Sequence, residues 1–270
     1  MDERTKEKLR STELEILEEI VRICEKYDIT YFLVYGTLLG AIRHKGFIPW
    51  DDDVDIAMPR KDYNKFKEIC KTELDEEYFL QNHETEPFYW HGISQIKVRK
   101  DNTLFEEPWV TDLDVHKGIF VDIFVLDHAK KQNSILQDIQ ATLFEVTQGM
   151  MWHKIIVASQ DEYSLKHKFI VSIASLFKLE HLIKMQKKII SINRNEDSSY
   201  YIHFGGRYNH KKKTLPKGVF HPPKKVEFED KQYDAPNDWD HYLTRIYGDY
   251  MEIPPEDKRG SHDPERVIVE

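Results

Sequence analysis

The amino-acid sequence predicts an α+β fold: a mixed β-sheet core flanked by helices, followed by a helical subdomain and a mixed C-terminal segment. Three changes of texture along the chain predict it. Short apolar runs bounded by turn residues alternate with helical patterns as far as Asp127. Long periodic stretches without proline fill 134–193, and strand and helix signals mix again from Tyr200. The expected organisation is a mixed-sheet core over 1–130, a helical subdomain over 131–195 and a C-terminal segment over 196–270 packed on the core.

Each element has its own signal. From Ser11 to Tyr27, Leu14, Leu17, Val21 and Cys24 recur at helical spacing and Asp28 closes the run, which predicts an amphipathic helix. YFLVY (31–35) reads as a short buried strand, Gly36-Thr37 as a turn, and TLLGAIRH as a helix starting at Thr37. VDIAM is the next strand, and a helix over Asp62–Cys70 puts Tyr63, Phe66 and Cys70 on one face. YFLQN (78–82), SQIKVRK (94–100) and GIFVDIFVLD (118–127) supply three further strands. Helices are expected over Ser134–Ala158, Leu165–Leu179 and Glu180–Asn193. After them come a YIHFGG strand, a basic turn at 211–213, a hairpin in VEFEDKQYDAP and a helix from Asn237 to Tyr247.

Composition narrows the function. With 40% apolar and 12% aromatic residues the chain can bury a sizeable core. A net charge of -9 repels nucleic acid, so no nucleic-acid partner is expected. Cys24 and Cys70 sit in helical apolar patterns and read as small buried hydrophobes of a reduced, cytoplasmic chain. The opening MDERTKEKLR is charged throughout, unlike a signal or transit peptide. No run reaches the ~18–20 apolar residues of a membrane span. FIVSIASLFKL, from Phe169, reads first as core and second as a peripheral membrane contact.

The chemistry concentrates in VYGTLLGAIRHKGFIPWDDDVDIAM, where Asp51, Asp52, Asp53 and Asp55 crowd the entry to an apolar strand. Strand alternation puts Asp53 and Asp55 on one face and turns Val54 and Ile56 into the core. Two carboxylates ~4–5 Å apart repel by roughly 3–4 kcal/mol at an effective dielectric near 20, so the fold needs a compensating cation or a shared proton. Asp122 is the sole charge between Ile119 and Leu126, on a face otherwise made by Phe120 and Phe124. If its strand lies beside VDIAM, the three carboxylates can hold one or two Mg²⁺ or Mn²⁺ ions. Asp51 and Asp52 read equally well as a solvated acidic turn, and the glycine of an EF-hand loop is missing.

Around this group, Gly36 and Thr37 offer backbone N–H groups and a hydroxyl to a phosphate at a helix start, although Gly-Thr is also an ordinary turn and cap. Arg43 and His44 close the same helix, where positive charge complements the dipole; Arg43 is equally suited to bidentate phosphate contact. In IKVRK, Lys97 and Arg99 share one face, which reads either as solvated or as a phosphate contact.

The order Gly36-Thr37 and then Asp53-Val54-Asp55 resembles the phosphate turn and metal carboxylates of the nucleotidyltransferase superfamily. The whole phrase YGTLLGAIRHKGFIPWDDDVDIAMPR is similar to the signature of the LicD family of phosphotransferases, to which the fukutin-related proteins are distantly similar. GIFVDIFVLD resembles that family's second motif, and YDAP with YLTRIYGDYMEIPPEDKR its third. The resemblance runs from Leu14 to Arg259 and is weakest through 134–195.

It implies a nucleotidyltransferase-like fold that transfers a phosphorylated alcohol, typically phosphorylcholine from CDP-choline, with release of CMP. The acceptor would be a sugar of a teichoic-acid or lipopolysaccharide precursor, often lipid-linked. Asp53, Asp55 and Asp122 match the metal and catalytic positions, Gly36 and Thr37 the phosphate turn, and Asp249 a substrate contact in the third motif. A CDP-choline donor also calls for an aromatic cage around its quaternary ammonium. Tyr89, Trp90, Trp109, Trp152, Trp239, Tyr247 and Tyr250 are candidates, with core packing as the plainer role for any one of them. Two other readings stay open: a nucleotidyltransferase using a nucleoside triphosphate, and a non-catalytic nucleotide- or metal-binding module.

Overall fold

The computed structural model describes the chain apart from residues 131–133, 160–164, 193–197, 261–263 and 270. Its first helix, α1 (Glu3–Lys26), begins well before the expected Ser11, because Asp2 accepts the Thr5 N–H at 2.8 Å and caps it. The buried stripe is therefore Leu9, Ile16, Leu17, Ile20, Ile23 and Cys24. Strand β1 (Phe32–Leu33) keeps only two of the five residues expected. The chain then turns through Tyr35 at φ 45° into α2 (Tyr35–His44), so Gly36 and Thr37 lie in the first turn of the helix rather than in a separate turn. A left-handed tyrosine costs about 1 kcal/mol or more, and a hydrogen bond of 3.1 Å between its hydroxyl and His203 Nδ1 helps hold it there.

The sheet is completed by β2 (Asp55–Pro59), β3 (Tyr78–Gln81), β4 (Gln95–Lys100) and β6 (Phe120–Ala129), with α3 (Arg60–Glu73) between β2 and β3 and β5 (Leu104–Glu106) before β6. Its order is β1-β2-β6-β4-β3. Strand β6 is long enough to serve two neighbours on one side. Phe120–Phe124 pair with β4, and Leu126–Ala129 pair with β7 (Tyr200–His203). Strand β2 runs parallel to β6, whereas the other pairs are antiparallel. Ile56, Ile123 and Ile96 are register partners across the three central strands and are buried. Burial of each such side chain stabilises the fold by roughly 1.5–3 kcal/mol. The pleat sends the neighbouring register row to the opposite face, and that row is charged.

Helices α4 (Ile135–Ile155), α5 (Leu165–Ser175) and α6 (Leu179–Ser191) form the helical region, and the expected end at Asn193 lies outside the described residues. Phe144, Met151, Leu182 and Ile189 pack with Ile202 and Phe204 into a second core. The FIVSIASLF stretch departs from the core reading. Phe169 and Leu176 are 68% and 80% exposed, Ile173 and Phe177 are also exposed, and Ala174 is fully covered. Helical periodicity reports an apolar face without saying what covers it. No helix of the described residues is long and apolar enough to cross a membrane.

In the C-terminal segment, Asn209 caps the short α7 (His210–Lys213) where a basic turn was expected. β8 (Thr214–Pro216) extends the sheet beside β7, and α8 (Lys217–Phe220) leads to the expected hairpin of β9 (Lys224–Phe228) and β10 (Lys231–Ala235). Helix α9 (Trp239–Tyr247) starts at the Asp238 cap. A last strand, β11 (Arg266–Ile268), pairs with β5; both are three residues long, too short to show a period in sequence.

Candidate active site

The charged row across the sheet is Asp55, Asp122 and Lys97, register partners on β2, β6 and β4. Asp53 joins from just before β2. One oxygen from each of Asp53, Asp55 and Asp122 lies within 4.8 Å of the others, and all three residues are buried. Burial, followed by the charges of Asp53 and Asp122, pushes the Asp55 carboxyl well above the usual range. Three hard oxygen donors that resist shared ionisation suit a divalent cation, which supplies the missing positive charge.

Several parts of the chain position this group. Asp55 donates its N–H to Thr37 Oγ1 at 2.7 Å and accepts from the Val34 N–H at 3.1 Å, which docks the start of α2 onto β2. The Thr37 hydroxyl thus serves the strand backbone. A Cβ at position 36 would come within 2.6 Å of Asp51 Oδ2, so a side chain there would push that carboxylate aside. Asp52 is buried, which corrects the solvated-turn reading for that residue. From α1, Arg10 donates to the carbonyls of Ile48 and Asp51 at 2.7 and 3.0 Å. Glu13 is buried near these aspartates; burial and then Asp53, Asp52 and Asp51 hold its carboxyl well above the usual range. Glu13 was missed in the sequence, although it interrupts the apolar stripe between Leu9 and Ile16.

The basic face of β4 is not solvated. Lys97 and Arg99 are 2% and 1% exposed. Lys97 Nζ stands 3.7 Å from Asp122 and 3.5 Å from Glu107, over the Phe120 ring. Arg99 commits its donors to Gln81 Oε1 at 2.6 Å and the Gly118 carbonyl, and pairs with Glu107 at 3.6 Å. Glu107 carried no sequence signal, since only the fold brings it to β4. Arg43 and His44 lie at the far end of α2, about 10 Å along the axis from Gly36 at the usual helical rise. Arg43 donates to the Tyr250 carbonyl at 2.9 Å and to His44 Nε2 at 2.9 Å, tying the tail to the helix. Asp249 is exposed in the turn after α9.

The aromatic candidates separate. Tyr89 and Trp90 are fully buried, Trp109 and Trp152 pack against the small core around Trp90, and Trp239 packs on the main core. Tyr250 donates its hydroxyl to Asp240. Tyr247 meets Tyr208 nearly edge to face, at 5.9 Å and 86°. Tyr208 in turn stacks on Tyr35 at 5.9 Å, and Tyr35 meets Phe124 at 5.0 Å and Tyr242 at 6.2 Å. After burial, the Asp55 charge is the next influence raising the Tyr35 phenol, and it acts on Tyr242 and Tyr247 as well, so these rings stand in its field.

A family model described as LicD/FKTN/FKRP, nucleotidyltransferase domain, matches residues 28–176, more than half of the chain. The chain belongs to the LicD family. It is 33% identical over 267 residues to the lipopolysaccharide cholinephosphotransferase LicD of Haemophilus influenzae, covering 95% of each chain. Over 94 residues it is 29% identical to the ribitol 5-phosphate transferase FKRP of Homo sapiens, a match covering 33% of this chain and 18% of that one. An uncharacterized protein of Rickettsia typhi, RT0683, is 38% identical over 66 residues, 24% of this chain and 21% of its own. The LicD match spans the whole aspartate constellation, from Asp53 on the way into β2 to Asp122 on β6.

Proposed function

We propose that this LicD family member is a transferase that moves phosphorylcholine from CDP-choline to a sugar hydroxyl of a lipopolysaccharide, teichoic-acid or related cell-surface glycan precursor in the cytoplasm, releasing CMP. The observation that carries the reading is the meeting of Asp53, Asp55 and Asp122, in a chain similar over nearly its whole length to a lipopolysaccharide cholinephosphotransferase. These three carboxylates would hold Mg²⁺ or Mn²⁺, which when bound neutralises charge on the diphosphate.

The chain's own residues do the rest. Thr37 fixes the Asp55 backbone, and the first turn of α2 presents its N-terminal dipole to the donor phosphates at Gly36. Lys97 sets its ammonium 3.7 Å from Asp122. Asp122 takes the proton of the acceptor hydroxyl as its oxygen attacks the β-phosphorus in line. The new O–P bond forms while the bridging P–O bond breaks, and CMP leaves with the bridging oxygen. Positioning and electrostatics account for most of the acceleration.

A peripheral membrane contact belongs to the same reading. Residues 165–191 carry six lysines and one glutamate in a chain of net charge -9, beside the exposed apolar side chains of α5. The deciding experiment is CMP release from CDP-choline with Mg²⁺ and a glycan acceptor. Wild type should release CMP, and Asp55→Ala and Asp122→Ala should each lose activity by a factor of at least ~10³ with an unchanged circular dichroism spectrum. Full turnover in either variant refutes the metal assignment, and pyrophosphate release from a nucleoside triphosphate instead of CMP refutes the donor.

A further inference from the structure

We propose that the half-buried rings of Tyr35, Tyr208 and Tyr247, backed by Phe124, form a box for a quaternary ammonium group, the choline end of the donor. The inference rests on the transfer reading above and names the side chains that would select its alcohol.

Place is the first argument. Only two carbons separate the nitrogen of phosphorylcholine from its phosphate oxygen, so its receptor must border the transfer centre. Tyr35 immediately precedes Gly36 and Thr37, and Thr37 is bonded to the backbone of Asp55. Phe124 follows Asp122 by two residues on β6, on the same face of the strand. The box therefore adjoins the carboxylate group on both the α2 and the β6 side.

Chemistry is the second. A trimethylammonium group has no N–H to donate, so hydrogen-bonding residues gain little from it, whereas the faces of electron-rich rings attract it, more strongly once it is desolvated. Burial keeps the phenols of Tyr35 and Tyr247 in their neutral form. Among the described residues, the protein's own cations stand over Phe47, Trp50, Phe120, Tyr27, Tyr63, Tyr78 and Tyr201, and none stands over Tyr35, Phe124, Tyr208 or Tyr247. Tyr35 is also held in place, its left-handed backbone fixed at the start of α2 and its hydroxyl anchored to His203.

The test is calorimetric binding of two donors to the full chain with Mg²⁺. One is CDP-choline; the other is CDP-3,3-dimethylbutanol, in which a tert-butyl group replaces the trimethylammonium with the same shape and no charge. Wild type should bind CDP-choline about tenfold tighter, the scale of one to two cation–π contacts. Tyr208→Leu and Tyr247→Leu should each bring that ratio toward one while leaving affinity for the neutral donor in place, and Tyr208→Phe and Tyr247→Phe should preserve it. Equal wild-type affinity for the two donors overturns the box and leaves the transfer reading standing. No binding of either donor overturns both. Equal weakening for both donors in the Leu and Phe variants alike overturns the box in favour of a packing role.

Discussion

Arg99 lies in the sheet with 1% of its surface exposed, while Leu176 at the end of α5 is 80% exposed. The two regions they stand for handle polarity in opposite ways. Around β2, β4 and β6, six ionisable side chains, Asp53, Asp55, Asp122, Glu107, Lys97 and Arg99, are buried together. In the helical region, Ile135, Leu143, Val146, Phe169 and Leu176 face outward. Desolvating a charge costs several kcal/mol, and leaving apolar surface in water forgoes about 25 cal/mol per Å². Neither arrangement favours stability by itself. Buried charge points to chemistry within the sheet, and exposed apolar surface points to contact outside the helices.

The largest effect should come from breaking the buried network while sparing the carboxylates. Arg99→Met removes one of the two cations beside Glu107, leaving Lys97, together with the donors to Gln81 and the Gly118 carbonyl, which should cost about 3 kcal/mol. A fall of roughly 10 °C in the melting temperature would follow for a chain of this size; a change of a degree or two would mean that the network is not energetically closed.

The next prediction uses pH. Glu13 and Asp55 are raised by burial above their ordinary 4.5 and 3.8. Between those values and the folded ones, the folded protein keeps protons that the unfolded chain has released. The metal-free fold therefore loses stability as pH rises through that window. In chelator the melting-temperature advantage of wild type over Glu13→Gln should shrink as pH rises from 4.5. His83, His91 and His203, lowered by burial and titrating the other way, are common to both chains. Mg²⁺ should restore more stability the higher the pH. A difference between wild type and Glu13→Gln that grows with pH would show that Glu13 ionises freely in the fold.

The smallest effect on stability should be at the outer helix face. Leu176→Asp changes an exposed side chain and should leave stability within about 0.5 kcal/mol, yet it should reduce flotation with anionic liposomes. Failure of the wild type to float would remove the membrane from the comparison, and a large loss of stability would mean that the face is covered within the protein.

Local rules reach surprisingly far into the site and then stop. Strand alternation alone sets Asp53 and Asp55 together, and the isolation of Asp122 among apolar residues marks it as buried. The hairpin of β9 and β10 is also legible, because its two short runs flank Glu229-Asp230. Glu107 and Tyr208 carry no such mark, since each gains its role from a neighbour distant in the chain. Lys97 shows the limit from the other side: its place on a polar strand face is visible in IKVRK, but whether water or Asp122 covers that face is not.

Periodicity is a property of a few consecutive residues, so the sequence by itself determined which side chains share a face and which carboxylates need compensation. Only the tertiary structure decided that Asp55 and Asp122 are register partners across parallel strands, that Lys97 stands beyond them, and that Tyr35 and Phe124 meet at the edge of the group. Those meetings depend on packing between segments dozens of residues apart, where no short-range pattern holds the information.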